Sequence, residues 1–156
     1  MAIAKLKAAD TPEKKFVALG EAAKESFAAG KTEDAQTYAQ DLMALLPEFK
    51  GNQAYGSAMC DANLVLGRVA VKKGQLEEAK RYLLAAAQSP STPYLANYGP
   101  NMGLAKDLLE KGERQTVLEY LELCRKLWSN GGAQLTLWSQ QVKDGKTPDF
   151  KGSLLN

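Results

Sequence analysis

The feature that most constrains the fold is a run of helix-forming residues, 66–87, interrupted once by a glycine. Gly74 stands between two segments whose apolar residues recur at helical spacing, and a glycine in this place typically ends a helix in the left-handed conformation. Small residues, Gly67 and Ala79 among them, lie on both sides of this turn where two helices would have to touch. The run therefore predicts a helical hairpin in which the second helix packs back on the first.

Two looser copies of this pattern lie before and after it in the chain. A small residue precedes each turn glycine by seven positions, in the pairs Ala23 and Gly30, Gly67 and Gly74, and Ala105 and Gly112. Small or apolar residues then recur five, nine and twelve positions after each glycine, at Ala35, Ala39, Leu42, Ala79, Leu83, Ala86, Val117, Leu121 and Cys124. Three copies in register predict three hairpins that share packing positions.

This pattern resembles the tetratricopeptide repeat, a helical hairpin of about 34 residues with Gly, Tyr, Ala, Phe and Pro at set positions. The second copy matches best, through Leu66-Gly67 and the run from Gly74 to Ala79. The first copy is a moderate match and the third is degenerate. The turn glycines stand 44 and 38 residues apart, which indicates extra residues in the connections between hairpins.

The resemblance implies an all-α fold, a right-handed stack of three antiparallel helical hairpins with an inner groove lined by the first helix of each. Such grooves in this family receive extended peptides or partner segments. The expected repeat units are 12–47, 52–90 and 93–129, followed by a capping helix at 133–143 and a flexible tail at 144–156. All of these would form one domain over residues 1–156, because the chain is long enough for one core and short for two. A generic helical bundle with coincidental spacing is the alternative.

Capping residues and prolines mark the expected helix ends. Thr11 before Pro12 predicts a helix start, and Thr32 predicts the N-cap of the next helix. Pro47 predicts the end of that second helix. Two prolines within 89–93 predict a break, with a short turn at 94–98, and the following helix is expected to open at Gly99-Pro100-Asn101 and continue to Gly112.

The residue types argue against an enzyme. The chain has no histidine, which removes the commonest general base and the commonest metal ligand. Cys60 and Cys124 lie in apolar helical patterns without a nearby base, so we expect buried thiols; a disulfide between them is the less supported alternative. There is no phosphate-binding glycine loop and no metal-ligand spacing. We therefore expect no catalytic residue, no metal and no cofactor.

Charge and hydropathy limit the partners. The net charge of +2 gives no global attraction to nucleic acid or to a membrane surface, and no apolar run approaches the roughly 20 residues that span a bilayer. Lysines interrupt residues 1–7, which therefore lack the apolar stretch of a signal peptide. We expect a cytoplasmic protein that binds neither nucleic acid nor membrane. An export signal that has been removed is the alternative.

One column of basic residues is the first candidate for a binding site. Lys24, Arg68 and Lys106 each follow a small packing residue directly, and would line the groove if the hairpins stack in register. Lys72 lies one helical turn beyond Arg68 on the same face. Such cations would favour an acidic segment or a C-terminal carboxylate. The alternative is that they are solvated charges on exposed helix sides.

Amide and aromatic side chains supply further candidates. Asn63 and Asn101 precede the small packing residues by four positions and could hydrogen-bond a bound backbone. Tyr94 and Tyr98 lie in the unusual segment 89–102, where exposed aromatic rings would anchor a partner. The alternative is that the tyrosines, like Trp128 and Trp138, close the ends of a small helical stack.

The function expected from these observations is a non-enzymatic interaction module that holds a peptide or protein segment, possibly an acidic one, in a partly basic groove. The alternative is a structural or assembly subunit that packs through hairpin faces, on copies of itself or in a larger complex.

Overall fold

The computed structural model describes residues 1–154, and these residues contain no β-strand. The described helices are α1 (Ala2–Ala8), α2 (Pro12–Ala28), α3 (Thr32–Leu45), α4 (Tyr55–Lys72), α5 (Leu76–Ala87), α6 (Pro93–Tyr98), α7 (Gly103–Glu110), α8 (Arg114–Leu127) and α9 (Gly132–Lys143). Short 3₁₀ segments lie at Leu46–Phe49, Ser129–Gly131 and Lys151–Leu154. The predicted all-α class is confirmed.

The three turn glycines end their helices in the same way. Gly30, Gly74 and Gly112 have φ values of 79°, 74° and 83°, a left-handed conformation that costs other residues energy. The amide of the residue after each glycine donates to a carbonyl five residues earlier, at 2.9 Å for Lys31 to Ser26, 2.8 Å for Gln75 to Ala70 and 2.9 Å for Glu113 to Leu108. This bond defines the Schellman motif, so the repeat in the sequence is a repeat in backbone geometry.

The repeat positions form the contacts between helices. Each of the small and apolar residues assigned to the repeat is buried. At Gly67 of α4, an added Cβ would collide with the side chain of Leu104 and would lie 3.1 Å from Cβ of Tyr82. The close approach predicted at Gly67 is therefore confirmed, and it joins α4 to both α5 and α7.

Neighbouring helices pack in a regular order. Within the hairpins formed at the turn glycines, α2 packs on α3, α4 packs on α5, and α7 packs on α8. The first helices of successive hairpins also touch, α2 with α4 and α4 with α7. Helix α5 packs on α8, and α9 packs on α8. Helix α4 therefore contacts the first helix of the hairpin before it and that of the hairpin after it.

Local details differ from the predictions where loops intervene. The predicted turn at 94–98 is the short helix α6, and the next helix begins only at Gly103, because Gly99 (φ 74°) and Pro100 form a separate loop. Thr32 is the first helical residue of α3 and Lys31 is its N-cap, whereas Thr11 caps α2 as predicted, with its Oγ1 accepting from the Lys14 amide at 3.2 Å. Helix α1 was not expected, since its seven residues show little periodicity.

The segment after α9 is packed, contrary to the expected flexible tail. Phe150 is 2% exposed, and its ring meets the edge of Trp138 with ring centroids 5.0 Å apart. The Met102 amide donates to the Ser153 carbonyl at 2.8 Å. Residues 144–154 therefore close the core of the C-terminal half, and the expectation for residues 155–156 lies outside the described residues. Within residues 1–154 no helix is long and apolar enough to cross a membrane.

Candidate functional site

A cleft runs along the side that α2 and α4 share. It consists of two adjoining cavities of about 290 and 200 Å³, both lined by Glu21, Lys24, Asp61 and Asn101. We call this cleft the inner groove. Helix α2 forms one wall, α4 forms the floor, and the loop 99–102 that precedes α7 forms the far end.

An ion pair between α2 and α4 lies at the centre of the inner groove. Nζ of Lys24 lies 3.3 Å from Oδ2 of Asp61 and 2.7 Å from Oε1 of Glu21. About a quarter of the Lys24 and Asp61 side chains is exposed, 24% and 26%. Burial raises the pKa of Asp61 above its ordinary value, although the Lys24 ammonium opposes this shift. Burial also acts to lower the pKa of Lys24, but the Asp61 and Glu21 carboxylates outweigh it and the net pKa is raised.

Arg68 makes a second pair, between α4 and α7. Its Nε donates to Oδ2 of Asp107 at 2.8 Å and its Nη2 donates to Oδ1 at 3.3 Å, a two-point contact that fixes the guanidinium plane. The guanidinium carbon lies 4.7 Å from the centre of the Phe27 ring, and Nζ of Lys72 lies 5.3 Å from the same centre. Phe27 thus lies beneath two cations, a favourable arrangement for an aromatic face.

The predicted column of cations is therefore mostly a column of ion pairs. Lys24 pairs with Asp61 on the first helix of the second hairpin, and so joins α2 to α4. Arg68 pairs with Asp107 on the first helix of the third hairpin, and so joins α4 to α7. Lys106 is exposed on α7, and within residues 1–154 the structure shows no ion pair for it. Lys24 and Arg68 both line the inner groove, but each charge is paired with a carboxylate of the protein. Lys72 and Lys106 are not among the residues that line it.

The two asparagines have different positions. Asn63 is 4% exposed, and its Nδ2 donates to the Met59 carbonyl one turn earlier at 2.9 Å. The structure removes Asn63 from the groove candidates because α4 turns that side chain into the core. Asn101 lies at the groove end, where its Nδ2 donates to the Leu154 carbonyl at 3.0 Å and its Oδ1 accepts from the Gly103 amide at 2.7 Å.

The two tyrosines face different clefts. They are 48% and 60% exposed, with ring centroids 5.0 Å apart, but only Tyr94 lines the inner groove. Tyr98 lines a separate cleft beside Trp128 and Trp138. Both tryptophans are largely buried, as in the interpretation that they close the end of the stack.

Hydrogen bonds to neighbouring helices hold the segment 89–102 in place. Thr92 caps α6 by accepting from the Leu95 amide at 3.1 Å, and its hydroxyl pairs with Ser57 of α4 at 2.8 Å. The hydroxyl of Ser91 donates to the Leu127 carbonyl at 2.6 Å. The indole of Trp128 donates to the Asn97 carbonyl at 3.2 Å. The groove end is therefore preformed.

Sequence reasoning missed the acidic half of the site. Asp61 was overlooked although it is a charged residue inside the apolar run of α4, a signal that it needs a partner. Asp107 and Phe27 carry no such signal, because each looks like an ordinary helix residue until the neighbouring helix is placed. Leu154 could not be found, since its contact depends on the path of the C-terminal segment.

The cysteines of this chain are buried thiols. Burial raises the pKa of both thiols, that of Cys124 to about 12, and the two cysteines are free. Within residues 1–154 no three His, Cys, Asp or Glu side chains are grouped to hold a metal.

Comparison of the chain with models of protein families, with curated proteins and with solved structures finds no match. The geometry of the groove and the packing of the hairpins are thus what any assignment of function has to stand on.

Proposed function

We propose that this protein is a non-enzymatic interaction module that holds an extended peptide or partner segment in the inner groove. The proposed architecture is a stack resembling the tetratricopeptide repeat, with α2–α3, α4–α5 and α7–α8 as its three hairpins and α9 as the cap. The identical glycine turns and the contacts of α2 with α4 and of α4 with α7 support this architecture.

A single observation carries the proposal. The preformed end of the groove already bonds to a main chain, because Asn101 and Met102 donate to two consecutive carbonyls of the 3₁₀ segment, those of Leu154 and Ser153. A groove that offers donors at this spacing, beside Tyr94 and Phe27, suits a main chain with an apolar side chain.

The charge of the partner is a separate part of the proposal. An acidic segment would have to compete with Asp61 and Asp107 for Lys24 and Arg68, the two predicted cations that line the groove. We therefore assign recognition mainly to backbone hydrogen bonds and apolar contact. If only acidic peptides bind, and their binding depends strongly on salt, then the groove recognises its partner mainly by charge.

The test is a fluorescence-anisotropy screen of extended ten-residue peptides in acidic, neutral and basic sets. Tyr94→Ala should weaken binding about tenfold, the size of effect that losing an aromatic anchor has. Leu137→Ala is the control, because Leu137 is an exposed apolar side chain that lines the separate cleft beside Trp138 and not the inner groove. Equal loss in both variants, or no binding in any set, would contradict the proposal.

A second candidate function is supported by the N-terminal edge of the molecule, next to the inner groove. The cleft between α1 and α2, about 950 Å³, is lined by Ala8, Ala9, Val17 and Ala18, and Val17 is 57% exposed. Such an apolar edge would suit an assembly subunit that packs on copies of itself. Light scattering distinguishes the two functions: an oligomer that Val17→Glu converts to a monomer supports assembly.

A further inference from the structure

The C-terminal segment of this chain occupies part of the surface on which a partner would bind. We call residues 149–154 the C-terminal strap. The strap crosses from the Trp138 side of the molecule to the inner groove, where Leu154 lines the larger cavity together with Phe27, Arg68 and Asn101. Leu154 is partly buried and packs against the apolar core.

The two ends of the strap are held very differently. At its start, Phe150 is enclosed by the core beside Trp138. Beyond Phe150, Ser153 and Leu154 accept hydrogen bonds from the Met102 amide at 2.8 Å and from the Asn101 side chain at 3.0 Å. Lys151 and Gly152 between them are exposed. The strap can therefore leave the groove while Phe150 stays in place.

The backbone between the two ends is strained. Lys151 has a φ of 44°, which makes it the one non-glycine residue with positive φ in the described chain. Its amide donates to Oδ1 of Asp149 at 3.1 Å, a local bond that supports this tight turn. A left-handed lysine is unfavourable relative to an extended one, so releasing residues 152–154 would relieve strain at this position.

From these contacts we infer that the strap is an autoinhibitory occupant of the inner groove, which an incoming peptide displaces by taking over the bonds from Asn101 and Met102. This inference rests on the proposed function, since it names the regulation of the same groove. A displacing segment would present two consecutive carbonyls and a leucine-sized apolar side chain, as Ser153 and Leu154 do.

The first measurement needs no partner. In the full chain, the Met102 amide is bonded to Ser153, so its hydrogen exchange should be slow. Leu154→Asp should accelerate this exchange at least tenfold and leave the amides in the middle of α4 unchanged. Ser153→Ala is the matched control, because only the Ser153 main chain takes part in the bond. If Leu154→Asp alters the circular-dichroism spectrum, a chain that ends after Gly152 replaces it as the opened variant, because this chain retains Phe150.

The second measurement uses a synthetic peptide of residues 147–156, labelled with fluorescein, as the probe. It should bind the Leu154→Asp protein at least tenfold more tightly than the unaltered chain, where the strap occupies the site. The same peptide with aspartate at position 154 should not bind either protein.

Unchanged Met102 exchange in both opened variants, or equal affinity of the peptide for opened and unaltered protein, would overturn the inference. Failure of the proposed function looks different. In that case Met102 exchange rises and the strap peptide binds the opened protein, but no peptide of the screen binds even there.

Discussion

The first and the third hairpin obey the same turn signal but reach stability differently. Helices α2 and α3 have 17 and 14 residues and pack on α4 through their own residues, alanines in one cluster and Phe16, Leu19 and Leu42 in another. Helix α7 has only eight residues, and the core around it extends to Trp128, Trp138 and Phe150. The comparison teaches that a degenerate repeat can be completed by residues distant in sequence, here the loop 99–102 and the strap.

The largest effect should come from removing the aromatic residue that completes the third hairpin. Phe150→Ala would leave a cavity beside Trp138 and should lower the free energy of unfolding by about 3 kcal/mol. Urea denaturation followed by tryptophan fluorescence measures the change. Lys146→Ala, an exposed change in the same segment, should stay within about 0.5 kcal/mol of the unaltered protein. Equal stability of the two variants would mean that the strap segment does not support the C-terminal half.

A smaller effect is expected where the second hairpin meets the third. The methyl group of Gly67→Ala would collide with the end of the Leu104 side chain and crowd Cβ of Tyr82, and repacking these side chains should cost about 1–3 kcal/mol. Gly132→Ala is the matched control, because an added Cβ there meets no atom within 4 Å. Thermal unfolding of both variants should show a clear loss only for Gly67→Ala. If Gly67→Ala instead raises the stability, then α7 lies farther from α4 than in the structure described.

The ion pairs should contribute less, since they are partly exposed. Arg68→Ala removes the two-point contact with Asp107 and the contact with Phe27, and should destabilise by about 1 kcal/mol. Lys106→Ala, at the corresponding repeat position, should have no measurable effect on unfolding. If Lys106→Ala destabilises as much as Arg68→Ala, then Lys106 has a partner in solution and the contrast within the column fails.

The two cysteines report whether the two halves of the molecule open together, without a substitution that changes stability. Cys60 lies in α4 and Cys124 in α8, and burial raises the pKa of both, so each stays a thiol at neutral pH. When the pKa of a thiol is higher in the folded than in the unfolded protein, its contribution to the free energy of unfolding is fully present at pH values below the unfolded pKa. It is lost as the pH rises toward the folded value, about 12 for Cys124. Native protein at pH 8 should react with Ellman's reagent only at its rate of opening, and urea should expose both thiols. Rapid reaction of one cysteine would show that its half opens separately.

Local signals explain the parts of the fold that the sequence predicts well. The turn glycines, the Thr11 cap and the buried repeat positions follow from backbone geometry and helical periodicity, which act over a few residues. The groove residues were predicted less well. Asn63 was expected in the groove but lies in the core. Its amide can be buried because it donates a hydrogen bond to the Met59 carbonyl, and residue spacing does not reveal this bond.

The sequence by itself determined that this chain is all-α, where its hairpins turn and which small residues let helices meet. Only the tertiary structure decided which charges pair, since Lys24–Asp61 and Arg68–Asp107 each join different helices whose relative register no local rule sets. It also decided that residues 149–154 return to the groove. That path depends on the burial of Phe150 against Trp138, a contact that exists only after α8 and α9 have packed.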